Sequence, residues 1–227
     1  MPSPRSAQFC LITALAVTAA LLPGPAMAAN AAPVKTRTRV ALTPTTVAYG
    51  QVAEAAVRVR TKKRRPSGTI AVHAGRQHVS AEITKRHRAR IALPLLNVSA
   101  TPYSISANFR PANPDRFTSS ASEATELVVV KDATAPRVRV RHRKAKKRVV
   151  VRSRIVSAHG RVPKGAVRVE LRRGGVQVRS KRIRLDARGV ARAKFAKVRK
   201  RGNYVAFVRF AGAPNFLGCQ SLTRFSV

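Results

Sequence analysis

The side chains able to do acid–base or metal chemistry are few and scattered. The eight acids are Glu54, Glu82, Asp115, Glu123, Glu126, Asp132, Glu170 and Asp186. No two form a close pair, and most sit among arginines, where they read as surface ion pairs of small energy. A calcium site wants six or more oxygens from clustered carboxylates, and no stretch supplies them. His73 and His78 flank Gly75 and Arg76, a dipeptide that can make a two-residue hairpin turn, so the two imidazoles can face each other. A structural zinc site uses four ligands, and the other three histidines, His87, His142 and His159, lie in basic stretches. Serine, histidine and acid fall at no recognisable nucleophile elbow, and no glycine-rich phosphate loop is present. The expectation is no catalytic set, no metal site and no cofactor.

Positive charge is the feature with force. The 227 residues carry 46 Lys and Arg against 8 Asp and Glu, a formal charge of +38. Such a field draws polyanions over a range of about 10 Å at 0.1 M salt. Two clusters are candidate polyanion contacts. One is Lys62, Lys63, Arg64 and Arg65. The other is Arg137, Arg139, Arg141, Arg143, Lys144, Lys146, Lys147 and Arg148, which a mobile arm could wrap around its ligand. Smaller groups lie at residues 85–88 and 197–201. The candidates are an anionic cell-envelope polymer, nucleic acid, acidic polysaccharide or anionic lipid heads. Phosphate contact through Lys and Arg is sequence-independent and salt-sensitive. Reading bases would need a groove-fitting element or aromatic platforms, and tryptophan is absent with aromatics at 5%. Arginine also exceeds lysine 33 to 13, as GC-rich coding would favour, so the charge has a compositional reading beside the functional one.

These residues hang on strands. Tyr103, Ile105, Ala107 and Phe109 alternate with Ser104, Ser106, Asn108 and Arg110, the period of a half-buried strand. The pattern returns at Tyr204, Ala206, Val208 and Phe210, 101 residues later. The second copy has Val205 and Phe207 where the first has Ser104 and Ser106, which makes them a possible apolar contact, to be covered by a neighbour or by nearby arginine stems. Similar alternation marks residues 53–60, 69–72, 88–93, 149–156, 167–172 and 191–195. Gly75 with Arg76, and Gly174 with Gly175, suit tight hairpin turns. No helical period is sustained. Each half thus offers about seven short strands, the content of one β-sandwich of about 100 residues, and the chain reads as two in tandem.

The N-terminus reads as a signal peptide. Arg5 precedes an apolar run at 9–22, Pro23, Gly24 and Pro25 break it, and Ala26, Met27 and Ala28 form a small-x-small cleavage site. The run is shorter than the roughly 20 residues a bilayer span needs, so the mature chain is expected to be secreted or cell-wall associated and not membrane-spanning. Cleavage removes Cys10 and leaves Cys219 without an intramolecular partner.

The order of the motifs resembles the bacterial immunoglobulin-like repeat of secreted and surface proteins. The matching residues are Leu42, Thr43 and Pro44; Val47, Tyr49, Gly50 and Gln51; Pro66, Gly68 and Val72; and the segment 103–117. The second half matches more loosely through Pro163, Gly165 and Val169, then Gly202 to Phe216. The resemblance implies two immunoglobulin-like Greek-key sandwiches with an adhesive or structural role and no fixed catalytic residues. The expected organisation is a signal peptide at 1–28, a disordered leader at 29–38, a first sandwich at 39–130, a linker at 131–136 and a second sandwich at 137–227. The expected function is a non-catalytic surface module docking on anionic envelope polymer. The alternatives are a secreted nucleic-acid-binding or membrane-active protein and a carbohydrate-active accessory module.

Overall fold

Alternation of apolar and polar residues puts strands wherever the sequence has it. The computed structural model describes residues 32–62, 65–83, 87–198 and 200–227. Among them there are sixteen strands, no α-helix, and one 3-10 turn at Lys144–Lys146. No helix among them is long and apolar enough to cross a membrane. The expected signal peptide, like Lys63, Arg64 and Lys85, lies outside the described residues.

In the first half, β1 (Arg37–Leu42), β3 (Glu54–Arg60) and β6 (Arg88–Ala92) form a three-stranded antiparallel sheet in the order β1-β3-β6. A larger sheet runs β2-β9-β7-β4-β5, from β2 (Thr46–Ala48), β9 (Thr125–Val130), β7 (Tyr103–Pro111), β4 (Gly68–Ala74) and β5 (Gln77–Ile83), with β8 (Ser120–Ala121) paired to β7. The second half repeats this. β10 (Thr134–Arg143), β11 (Arg148–Ser157) and β14 (Val190–Phe195) make a three-stranded sheet. β13 (Val176–Arg184), β12 (Ala166–Arg173), β15 (Asn203–Phe210) and β16 (Cys219–Ser226) make a four-stranded one. The sheets lie in a sandwich-like arrangement.

Each half has its own buried cluster. Val57, Val59, Ile70, Val72, Ile105, Phe109 and Leu127 close the first. Val149, Val151, Ile155, Val167, Leu171, Val208 and Phe210 close the second. All are the inward members of the alternating strands, and with no tryptophan the volume comes from branched aliphatics and alanines with Phe109 in the first and Phe195, Tyr204, Phe210 and Phe216 in the second. Each buried aliphatic contributes about 1.5–3 kcal/mol relative to exposure. The repeated tyrosines do the same work in each half. The Tyr103 hydroxyl donates to the Asn97 carbonyl at 2.8 Å, and that of Tyr204 to the Lys200 carbonyl at 2.9 Å. Each pins the loop that leads into its own strand. Gly68 opens β4 against β7, where a Cβ would come within 2.2 Å of the Arg110 carbonyl oxygen, so no other residue fits there.

Two expectations about connections differ from what is found. From residue 32 on, the stretch read as a disordered leader is extended chain: Val34 bridges Phe117 and the Thr36 hydroxyl donates to the Ser120 hydroxyl at 2.6 Å. In the stretch read as a linker, β10 already begins at Thr134, and Asp132 is fully buried. The Asp132 carboxylate accepts from the His159 backbone N–H at 3.2 Å and pairs with His159 Nδ1 at 2.8 Å. Residues 32–227 form one compact unit. Within it the Tyr49 ring meets Phe216 edge-on at 5.3 Å, and Asn215 Nδ2 donates to Asn97 Oδ1 at 2.9 Å. The junction is therefore packed and hydrogen-bonded.

Among the described residues two inward strand positions break the apolar rule: Thr38, whose hydroxyl bonds that of Ser120, and Ser153. Ser153 is fully buried between Val138 and Ala191 on neighbouring strands, and its hydroxyl has no partner. An unsatisfied buried hydroxyl carries its desolvation cost unrelieved. Ser153→Ala is expected to raise the unfolding free energy by about 1 kcal/mol, read from denaturant midpoints at unchanged slope. A loss of stability would mean that the hydroxyl is satisfied in solution.

Candidate polyanion-binding face

Strand alternation that buries Val149, Val151 and Ile155 turns every second residue of the same strands outward. On β10 the outward residues are Arg137, Arg139, Arg141 and Arg143, with Val138, Val140 and His142 between them half-buried. On β11 they are Arg148, Val150, Arg152 and Arg154, and on β14 Val190, Arg192 and Lys194. Register sets them side by side. Arg137 stands opposite Arg154, Arg139 opposite Arg152, and Arg143 opposite Arg148; Arg152 in turn stands opposite Arg192. Neighbouring strands lie about 4.8 Å apart and same-face residues about 6.8 Å apart along a strand, so the result is a grid of nine cations. No face position holds an acid. Asp186, in the turn before β14, is within electrostatic reach of Arg152. Its carboxyl is held below the ordinary value by the backbone N–H groups of Val190 and Arg188, then by the charges of Arg188 and Arg152.

Two shallow grooves cross this grid. One of about 350 Å³ runs between Arg139, Arg143, Arg152, Arg192 and Lys194, and one of about 230 Å³ between Arg137, Arg139, Arg152 and Arg154. Like charges directly opposite across strands are destabilising. A bound polyanion would relieve all of them together.

The expected mobile arm is thus two paired strands closed by the 3-10 turn, with Lys144 and Lys147 at its tip and Lys146 in the same turn. The turn was illegible because Lys147, not glycine, takes the left-handed conformation, at φ 46°. Arg152, Arg154, Arg192 and Lys194 complete the grid although they are distant in sequence from Arg137 and Arg139. Their outward phase was visible, but their adjacency is a matter of register. The first half carries a sparser version on β1-β3-β6, where Arg39, Arg58 and Arg88 form one cross-strand row and Arg37 stands opposite Arg60. Lys62 and Arg65 follow at the end of β3.

Val205 and Phe207 lie half-buried on the outer face of β15. The Arg172 guanidinium sits 4.8 Å over the Phe207 ring, and Leu222 on β16 stands opposite it. Glu170 is next to them and corrects an expectation. Its carboxylate is buried on the outer face, held by Arg172 at 2.7 Å with Arg168 at 3.7 Å, where an exposed surface pair was expected. Phe207 stands opposite it on β15. His73 and His78 do face each other across β4 and β5, with ring centroids 5.9 Å apart. Among the described residues no group of three or more His, Cys, Asp or Glu gathers as a metal site. Burial pushes the Cys219 thiol up, opposed by a hydrogen bond with Thr134, so it stays protonated at neutral pH and is a poor nucleophile.

No model of a known protein family matches the chain, so the immunoglobulin-like resemblance has no such support. No curated protein matches it in sequence. Among solved structures it aligns with a tetra-tandem repeat from the extending region of a large adhesion protein. The alignment covers 85% of this chain and 49% of that one, at 12% identity and a TM-score of 0.46. A Ca2+-stabilised adhesin that helps an Antarctic bacterium bind ice aligns over 86% and 49%, at 12% identity and a TM-score of 0.38. The chain spans about half the length of each.

Placing one acid at the centre of the grid separates the fold from its surface. Arg152→Glu gives Arg139 and Arg192 an opposite charge between them. It is expected to stabilise the fold by about 0.5 kcal/mol and to weaken retention on a heparin column. A variant that is less stable, or one equally retained, would argue against a repulsive grid that contacts the polyanion.

Proposed function

We propose that this chain is an exported, non-catalytic surface module of two tandem immunoglobulin-like Greek-key sandwiches that adheres to anionic polymer of the cell envelope. The nine-cation face of β10-β11-β14 carries the reading. Its lattice suits a ligand with repeated negative charges, and its self-repulsion is relieved by such a ligand. The echo on β1-β3-β6 extends the basic surface to the first half.

The domain assignment draws on three features. Strand order places β1-β3-β6 apart from β9-β7-β4-β5, and the second half repeats it as β10-β11-β14 apart from β16-β15-β12-β13. Tyr103 and Tyr204 each bond back to a carbonyl six and four residues upstream, as the tyrosine corner of such sandwiches does. Secretion follows from the apolar run and cleavage site at residues 9–28.

The alternatives draw less support. Nucleic-acid reading uses stacking on aromatic side chains, and the grid holds only Arg, Lys and Val. A carbohydrate accessory module would also want an aromatic platform; Phe207, the aromatic on an outer sheet face, is already covered by Arg172.

Purified cell wall tests the reading. The protein is expected to pellet with wall at 50 mM salt and to be released progressively, with at least ten-fold weaker binding by 500 mM, because each cation–phosphate contact displaces counterions. Chemical removal of the wall's anionic polymers should abolish pelleting. Salt-independent retention, or no binding, would overturn the proposal.

A further inference from the structure

The two grooves of the nine-cation face share Arg139 and Arg152, so they join as one trough. It lies between β10 and β11 and runs along them. Register divides its walls into four rungs. Arg137 faces Arg154 in the first. Arg139 faces Arg152 in the second, with Arg192 beyond. Arg141 faces Val150 in the third, with Lys194 beyond, and Arg143 faces Arg148 in the fourth. Every rung thus holds at least two cations. Successive rungs are two residues apart, about 6.8 Å in an antiparallel strand, so the four span about 20 Å. Among the described lining residues none is acidic, and Val150 alone is apolar.

Such a trough accepts a linear polyanion lengthwise, and its period selects the charge spacing. Two residues of extended polypeptide contain six backbone bonds. A phosphodiester of a three-carbon diol also has six bonds from one phosphorus to the next, so the two extended chains keep pace. We infer that the trough takes an extended glycerol phosphate polymer of the cell envelope, lying parallel to β10 and β11 with one phosphate at each rung. Guanidinium groups on both sides can then donate to each phosphate, often in bidentate fashion. A five-carbon diol adds two bonds per repeat, or six over the three intervals between four phosphates. That mismatch equals one whole rung and carries the last phosphate past the end of the trough. One arginine can lean to follow a small offset, but an offset that accumulates leaves a phosphate without a rung. A nucleic-acid strand has the same six-bond repeat, yet the walls offer its bases no aromatic surface to stack on. The inference rests on the wall-docking reading and narrows its ligand.

Calorimetric titration of the full chain with synthetic oligomers tests the register. Each oligomer carries four phosphates joined by two-, three- or five-carbon diols, at about 50 mM salt, where phosphate contacts are strong. The three-carbon oligomer is expected to bind about three-fold tighter than the five-carbon one, which forfeits roughly one exposed ion pair. The two-carbon oligomer, despite its denser charge, should bind no tighter than the three-carbon one. Arg137→Gln and Arg143→Gln, at opposite ends of the trough, should each weaken the three-carbon oligomer by about three-fold. Arg182→Gln, which removes the same charge from the outer face of β13, should leave it unchanged. Affinity that rises steadily as the linker shortens, or equal losses in all three variants, would overturn the register and leave wall docking by charge intact. So would a failure of every oligomer to bind while the protein still pellets with wall; loss of pelleting as well would remove the reading on which the inference rests. A single-stranded oligonucleotide with four phosphates that binds more tightly than the three-carbon oligomer would overturn the assignment to an envelope polymer.

Discussion

The alternation of a two-sheet fold places the outer arginines of β3, β11 and β14, because their strand neighbours are buried. Val149, Val151 and Ile155 cannot face inward unless Arg148, Arg152 and Arg154 face outward. The same burial holds together a surface that repels itself. Two unit charges 5 Å apart in water cost about 0.8 kcal/mol before salt screening, and exposed arginines at that spacing can splay. Burying one branched aliphatic contributes about 1.5–3 kcal/mol. The core therefore outweighs the grid locally, row by row, and the grid can persist without a ligand. Added salt then acts in two directions, easing repulsion within the sheet and weakening contact with any polyanion outside it.

The junction between the halves depends on a different kind of interaction. Asp132 is a buried carboxylate whose partners are the backbone and ring of His159. Its own backbone is fixed as well: the Asp132 N–H donates to the Asn215 carbonyl, and Leu217 N–H donates to the Asp132 carbonyl. Around it the Tyr49 ring packs on Phe216, and Asn215 Oδ1 accepts from the Val98 N–H. In a chain with so few acids, one is placed where it satisfies donors inside the fold, and Glu170 is held by Arg172 on the outer face of β12. Both are absent from the nine-cation face, which is part of why that face is uniformly positive.

The inward residues were legible from period alone, as were the turns at Gly75 with Arg76 and Gly174 with Gly175 and the repeated tyrosine strands. A pattern of period two states which side a residue takes, but not which residue of another strand stands beside it. That is why Arg137 and Arg139 read as an arm with no sign of Arg152 or Arg192 beside them, when Arg139, Arg152 and Arg192 share one row. Glu170 was misread for a related reason. Its outward phase was right, but its partner Arg172 and the Phe207 that stands opposite it on β15 are brought to it by fold and register.

On the flat face most guanidinium groups are open to water, so one anionic group gains little by displacing that water, and attraction accumulates only along a chain of charges. Such a face discriminates by charge density rather than by shape or hydrogen-bond count, and for that reason a formal charge of +38 could announce the face without naming what it meets.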